Sequence, residues 1–211
     1  MELATLDYSP LTPHPGLVRE PPRSYQVVSK GQRFTYADYL LLPHESSYRH
    51  EVLDGVLYRE EKPTIIHQLI RGRLSCMLWE YFRQLDPRGQ VFAIPLDVVL
   101  DQDTVVQPDI LYASGGQRDI FTETHVAGAP TLVVEILAPG SAAKNRVVKL
   151  PLYLKAGILH FWVVDPENRT MECMALQEGQ YFMVAAGMEN QRVRHLDFAG
   201  LVIDLGELWR V

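Results

Sequence analysis

Residues 131–153 read TLVVEILAPGSAAKNRVVKLPLY. A nearly unbroken apolar run carries one carboxylate, Glu135. A Pro-Gly-Ser turn follows, then a helical pattern that carries Lys149. Such a run suits a strand covered on both faces. An ionised acid inside it is costly unless it is paired or bound to a metal. Upstream, residues 104–113 (TVVQPDILYA) set a second carboxylate, Asp109, directly after Pro108. Pro108 has no N–H to donate and belongs at a strand's start or at an irregularity of the sheet. Two acids on neighbouring strands with a lysine close behind suit a divalent metal held against a phosphodiester. Internal ion pairs are the alternative for the acids, and a solvated helix face is the alternative for the lysine.

Outward from this stretch, the helix after Glu135 is expected over 142–155, with Gly157 as its C-cap. A buried strand over 159–164 is closed by Asp165-Pro166. A hairpin joins 170–176 to 180–184 around Glu178-Gly179, and FAGLVIDLGELW (198–209) packs back on the sheet. On the other side, Thr35 caps a short helix over 34–42, stopped by Pro43. YRHEVLDGVLYRE (48–60) is a hairpin whose Asp54-Gly55 pair suits a tight turn at positive φ. Residues 64–85 are the longest helix: Ile66, Leu69, Ile70, Leu74, Met77, Leu78, Tyr81 and Phe82 recur at steps of three and four. Strands over 91–100 and 104–113 pair as a hairpin, and a polar loop fills 114–130. The order helix, strand, strand, strand, helix, strand, with hairpins before and after, describes an α/β (α+β) mixed sheet with a helix on each face.

The chain has 211 residues, 47% hydrophobic and 22% charged, enough for one sizeable core. Residues 25–211 are expected to form that domain. Residues 1–24, with five prolines, read as an extended or disordered arm. A net charge of -6 counts against a generally basic nucleic-acid-binding surface, but a local patch can still take phosphates. Cys76 and Cys173 have no zinc-type spacing and read as buried free thiols. No apolar run approaches the ~18 residues of a membrane span, and no leader pattern opens the chain, so the cytoplasm is expected. Trp162 and Tyr153 read as packing residues rather than base-stacking platforms. Asp97 is left open to either face of its strand. Lys144, Arg146 and Lys155 form either a phosphate-facing patch or a solvated face.

Four segments in order, YRHEVLDGVLYRE, VVQPDILYAS, GAPTLVVEILAPGS and KLPLYLKAGILHFWVVDPE, resemble the PD-(D/E)XK nuclease superfamily. More closely, they resemble its Uma-two-type family of restriction-endonuclease-like proteins. The resemblance implies an αβββαβ restriction-endonuclease-like core with added β-hairpins. It further implies an endonuclease that hydrolyses DNA with Mg²⁺ (or Mn²⁺) on Asp109 and Glu135, assisted by Lys149. The superfamily's usual lysine, two residues after the glutamate, is replaced here by Leu137, and the family resemblance moves that role to Lys149. Similar proteins carry an Asp where this chain has Asn145. By the same resemblance Glu51 is a third ligand or an outer partner. His67 stands near that third position, with a structural hydrogen bond as its alternative. Gln107 lines the site, and a homodimer is expected. A binding module that keeps the nuclease fold without efficient cleavage is the alternative function.

Overall fold

The computed structural model describes residues 26–28, 31–43, 48–138 and 144–210. The N-terminal arm and the expected helix start at residues 142–143 lie outside them.

The elements run β1 (Gln26–Val27), α1 (Tyr36–Tyr39), β2 (Tyr48–Leu53), β3 (Val56–Glu61), α2 (Ile65–Leu85) and β4 (Gln90–Phe92). They continue with β5 (Val98–Asp101), β6 (Thr104–Val106), β7 (Ile110–Ala113), β8 (Val126–Ala127) and β9 (Leu132–Ile136). A π-helical segment (Lys144–Lys149) leads into α3 (Leu150–Ala156). Then come β10 (His160–Asp165), β11 (Thr170–Gln177), β12 (Gln180–Met188), β13 (Arg192–Arg194), β14 (Val202–Asp204) and α4 (Leu205–Leu208).

The central sheet has the order β12-β11-β10-β9-β7-β4. Only β9 and β10 run parallel, because the helical crossover between them must return to the same end. Along β9 the side chains alternate: Leu132, Val134 and Ile136 join Ile70, Leu74, Leu78 and Phe82 of α2 in one core. Val133 and Leu137 join Tyr153, Phe161 and Val163 in the core beneath α3. One helix therefore covers each face. Phe82 stacks on Tyr112 at 3.6 Å between ring centroids, fixing α2 against β7.

A second sheet, β1-β3-β2-β6-β5-β8, corrects the single-sheet expectation. Each of the two long strands read over 91–100 and 104–113 is broken. Its inner half pairs in the second sheet (β5 with β6) and its outer half in the central sheet (β4 with β7). The breaks fall at Pro95 and Pro108, where a ladder hydrogen bond cannot form. Asp109 is therefore at the seam between the sheets.

Thr35 and Thr64 cap α1 and α2 as read from sequence; Thr35 and Asp38 complete a reciprocal capping box. The Asp54-Gly55 turn has φ of 49° and 76°. Gly55→Ala places a Cβ 2.9 Å from the Arg33 guanidinium carbon in a left-handed conformation. A loss of roughly 1–2 kcal/mol in urea unfolding is expected. The expected 142–155 helix is instead π-helical up to Lys149. Pro151 lacks the N–H that an α-helix would donate to residue 147, which favours the wider turn there. Cys173 is buried as expected. Cys76 is exposed, because it lies on the outer side of α2, off the stripe of Ile70, Leu74 and Leu78. No helix among the described residues is long and apolar enough to cross a membrane.

Candidate active site

The ladder pairs Ile110 of β7 with Val134 of β9, so the next pair outward brings Asp109 opposite Glu135. Both are buried, at 2% and 1% exposure. The Asp109 carboxylate accepts the Ile136 amide at Oδ2 (2.8 Å) and lies 3.2 Å from Arg49 Nη1 at Oδ1. His67 Nε2 is 3.1 Å from Asp109 Oδ2 and 3.0 Å from the Ile136 carbonyl. Both neighbours are acceptors, so Nε2 carries the proton. The outer ring nitrogen, Nδ1, is buried without a hydrogen-bond partner.

Glu135 takes its two contacts on one oxygen: Oε1 accepts from Lys149 Nζ at 2.8 Å and from the Tyr153 hydroxyl. Oε2 stands outside both. Lys149 is wholly buried and also lies 2.8 Å from Glu51 Oε1. Glu51 accepts the Gln107 backbone amide at 2.8 Å, which anchors the chain just before Pro108. The Gln107 side chain turns the other way, donating to Asp97 Oδ1 at 2.7 Å and to Tyr39 at 3.1 Å.

The electrostatics follow from crowding. Glu51, Glu60, Asp109 and Glu135 share this region with two permanent cations, Arg49 and Lys149. Burial pushes Asp109 up, but Arg49, His67 and the Ile136 amide outweigh it and hold the carboxyl well below its usual range. Burial raises Glu135; Lys149 opposes this, while Asp109 and Glu51 add to it, and the net shift is upward. Burial lowers Lys149, yet Glu135, Glu51 and Glu60 outweigh it and keep the amine charged. Arg49 behaves likewise, held charged against its own burial by Glu60 and Asp109.

The donor set suits a hard cation. One lone-pair direction of Asp109, Glu135 Oε2 and the second lone pair of the Ile136 carbonyl are oxygens not consumed by the contacts above. Among the described residues no third carboxylate or imidazole joins Asp109 and Glu135 with all donors within 4.8 Å. Two carboxylates completed by water match what Mg²⁺ accepts. The surplus of acids over cations is charge that a divalent ion would neutralise.

A cleft of about 740 Å³ opens over Asp109. Arg49, Lys62, Arg71, Gln68 and Gln107 line it, so an acidic protein presents a basic hollow at this point.

The structure thus brings Asp109, Glu135, Lys149, Glu51, His67 and the Gln107 backbone into one neighbourhood. It does not bring the Lys149 amine to the cleft surface, because Glu51 and Glu135 enclose it. Of the basic residues read on this helix, Arg146 pairs with Glu172 (2.6 Å) and Lys155 with Asp101 (3.4 Å), and neither lines the cleft, while the Lys144 side chain lies outside what the structure describes. Tyr153 and Trp162 are core residues as read, but the Tyr153 hydroxyl also belongs to the site. Arg49 was missed. Its signal was available, since a residue two before Glu51 in the same strand shares its face.

A mixed sheet with a helix on each face, and an acid at a proline break beside an acid in the adjoining strand, define a restriction-endonuclease-like fold. A solved structure agrees over 83% of this chain and 97% of its own: that of "a putative nuclease belonging to DUF820" from Anabaena variabilis, with a TM-score of 0.67 and 21% identity. The family model Uma2, described as "Putative restriction endonuclease", matches residues 36–206, and the chain belongs to that family. No curated protein matches it.

Proposed function

We propose that this protein is a metal-dependent endonuclease that hydrolyses phosphodiester bonds of DNA in the cytoplasm. Mg²⁺ (or Mn²⁺) would be held by Asp109 and Glu135. The observation that carries the reading is the placement of these two buried acids opposite each other across β7 and β9, with Asp109 in the lining of a basic cleft, within a nuclease-family chain. When bound, the ion supplies Lewis acidity toward the phosphoryl oxygen and lowers the pKa of a bound water.

The chain's own residues do the rest. Arg49, Lys62 and Arg71 attract the phosphate backbone to the cleft. His67 and the Ile136 amide fix the Asp109 carboxylate in one orientation. Lys149 and Tyr153 fix Oε1 of Glu135 and leave Oε2 for the ion. Lys149 is thereby a positioning residue. A homodimer enters the proposal through the family resemblance, each protomer bringing one such cleft.

The test begins with thermal unfolding in EDTA and after adding Mg²⁺ or Mn²⁺. An ion at 100 times its Kd stabilises the native state by about 2.7 kcal/mol. Asp109→Asn and Glu135→Gln should each abolish that gain. Glu135 must shed its proton to bind and its carboxyl is raised. The stabilisation should therefore be full above that raised value and shrink as pH falls through it. An equal gain in all three proteins would remove the acid pair from the proposal.

A second reading, a nuclease-fold binding module, is favoured by one observation: each acid already carries an internal cation, Arg49 on Asp109 and Lys149 on Glu135. Plasmid DNA bound but left uncut in Mn²⁺ would select it.

A further inference from the structure

On the other face of the central sheet, two buried histidines approach each other. His160 opens β10, two residues before Trp162, and so faces the α2 core with it, whereas Glu135 lies three rungs further along. His195 and Asp197 come from the segment between β13 and β14. One ring nitrogen of each histidine and a carboxylate oxygen of Asp197 lie within 4.8 Å of one another. His160 Nδ1 is 3.8 Å from Asp197 Oδ2, too long for a hydrogen bond. His160 Nδ1 and His195 Nε2 are both buried without a hydrogen-bond partner. Such orphaned polar atoms are rare and call for a reason. Both histidines are buried, whereas the Asp197 side chain is 42% exposed and gives the cluster a path to solvent.

We propose that His160, His195 and Asp197 form a second metal site, for a borderline divalent cation of the Zn²⁺ class, distinct from the Asp109–Glu135 pair. Imidazole donors favour such an ion over Mg²⁺, whereas the oxygen-only acid pair has the opposite preference. With metal–donor bonds of about 2.0–2.2 Å in a tetrahedral arrangement, donors stand roughly 3.4 Å apart. The present 3.8 Å separation needs only a small contraction. Three protein donors leave a fourth position for water. Phe198, centred 4.5 Å from both imidazoles, and Trp162, 5.1 Å from His195, wall the cluster with apolar surface.

His195 Nδ1 accepts the Asp197 amide at 3.1 Å. Coordination through that ring gives up this one bond, directly if Nδ1 binds and by a change of tautomer if Nε2 binds. Burial lowers both imidazoles, His195 to about 4, so each ring is neutral near pH 7 and has a lone pair to offer. A bound ion would tie the chain between β13 and β14 to the first residue of β10.

The test uses the full chain, stripped with EDTA, carrying Asp109→Asn and Glu135→Gln so that the acid pair is silent. Co²⁺ is titrated and its visible absorption followed, with Zn²⁺ as competitor. One equivalent bound with a tetrahedral-type band, displaced by Zn²⁺, is expected. His160→Gln should abolish the band, and Asp197→Asn should weaken Co²⁺ binding by more than about tenfold. Asp197 is half-exposed, so its variant keeps the test open should His160→Gln fail to fold. Absence of binding by the folded parent, or equal affinity in parent and Asp197→Asn, would overturn the site.

Discussion

Lys149→Met should be the most destabilising single change in this protein, lowering the free energy of unfolding in EDTA by about 3–5 kcal/mol. The ammonium lies 2.8 Å from both Glu51 and Glu135 and has no contact with solvent. Methionine fills the volume but takes from two buried carboxylates the cation they share. Adding Glu135→Gln removes one of those buried charges and should recover part of the loss, with a coupling energy of about 0.5–3 kcal/mol in a double-mutant cycle. Additive losses would mean that the lysine and glutamate are not energetically linked. Loss of cleavage in a Lys149 variant alone therefore says little about catalysis, because folding is impaired first.

Asp109→Asn should give the largest effect on activity. It keeps size and shape and still offers an oxygen to the Ile136 amide, but it removes the formal charge facing the ion. Cleavage of supercoiled plasmid in Mn²⁺ should fall by about 10²-fold or more, the scale seen when one aimed electrostatic group is removed. Arg49 keeps a partner in Glu60, 2.7 Å away, so the variant should fold. A folded Asp109→Asn protein that cuts within a few-fold of the parent would end the case for this residue as a ligand.

Much of this arrangement was legible in the chain. Pro108-Asp109 announced a break next to an acid, Glu135 was conspicuous among Val134, Ile136 and their neighbours, and Asp54-Gly55 dictated its turn. Thr35, Thr64 and Gly157 act as the caps that their chemistry suggests. What could not be read was long-range. Nothing local says that the two halves of residues 91–100 belong to different sheets, because pairing partners are fixed by tertiary context. Arg49 could be set on the face of Glu51 from its spacing, but its meeting with Asp109, 60 positions away, shows only in the fold. His160 and His195 carry no spacing motif and meet only through folding. Lys149 does come beside Glu135, yet its enclosure by Glu51 and Glu135 alters what it can do.

The π-helical segment has a broader consequence. A turn with one residue more than usual rotates everything after it by about 100° while leaving the helix axis nearly unchanged. The amine beneath Glu135 therefore owes its aim to a count of backbone units rather than to a short motif. Proteins built this way will slip past any search that demands a fixed interval between acid and base.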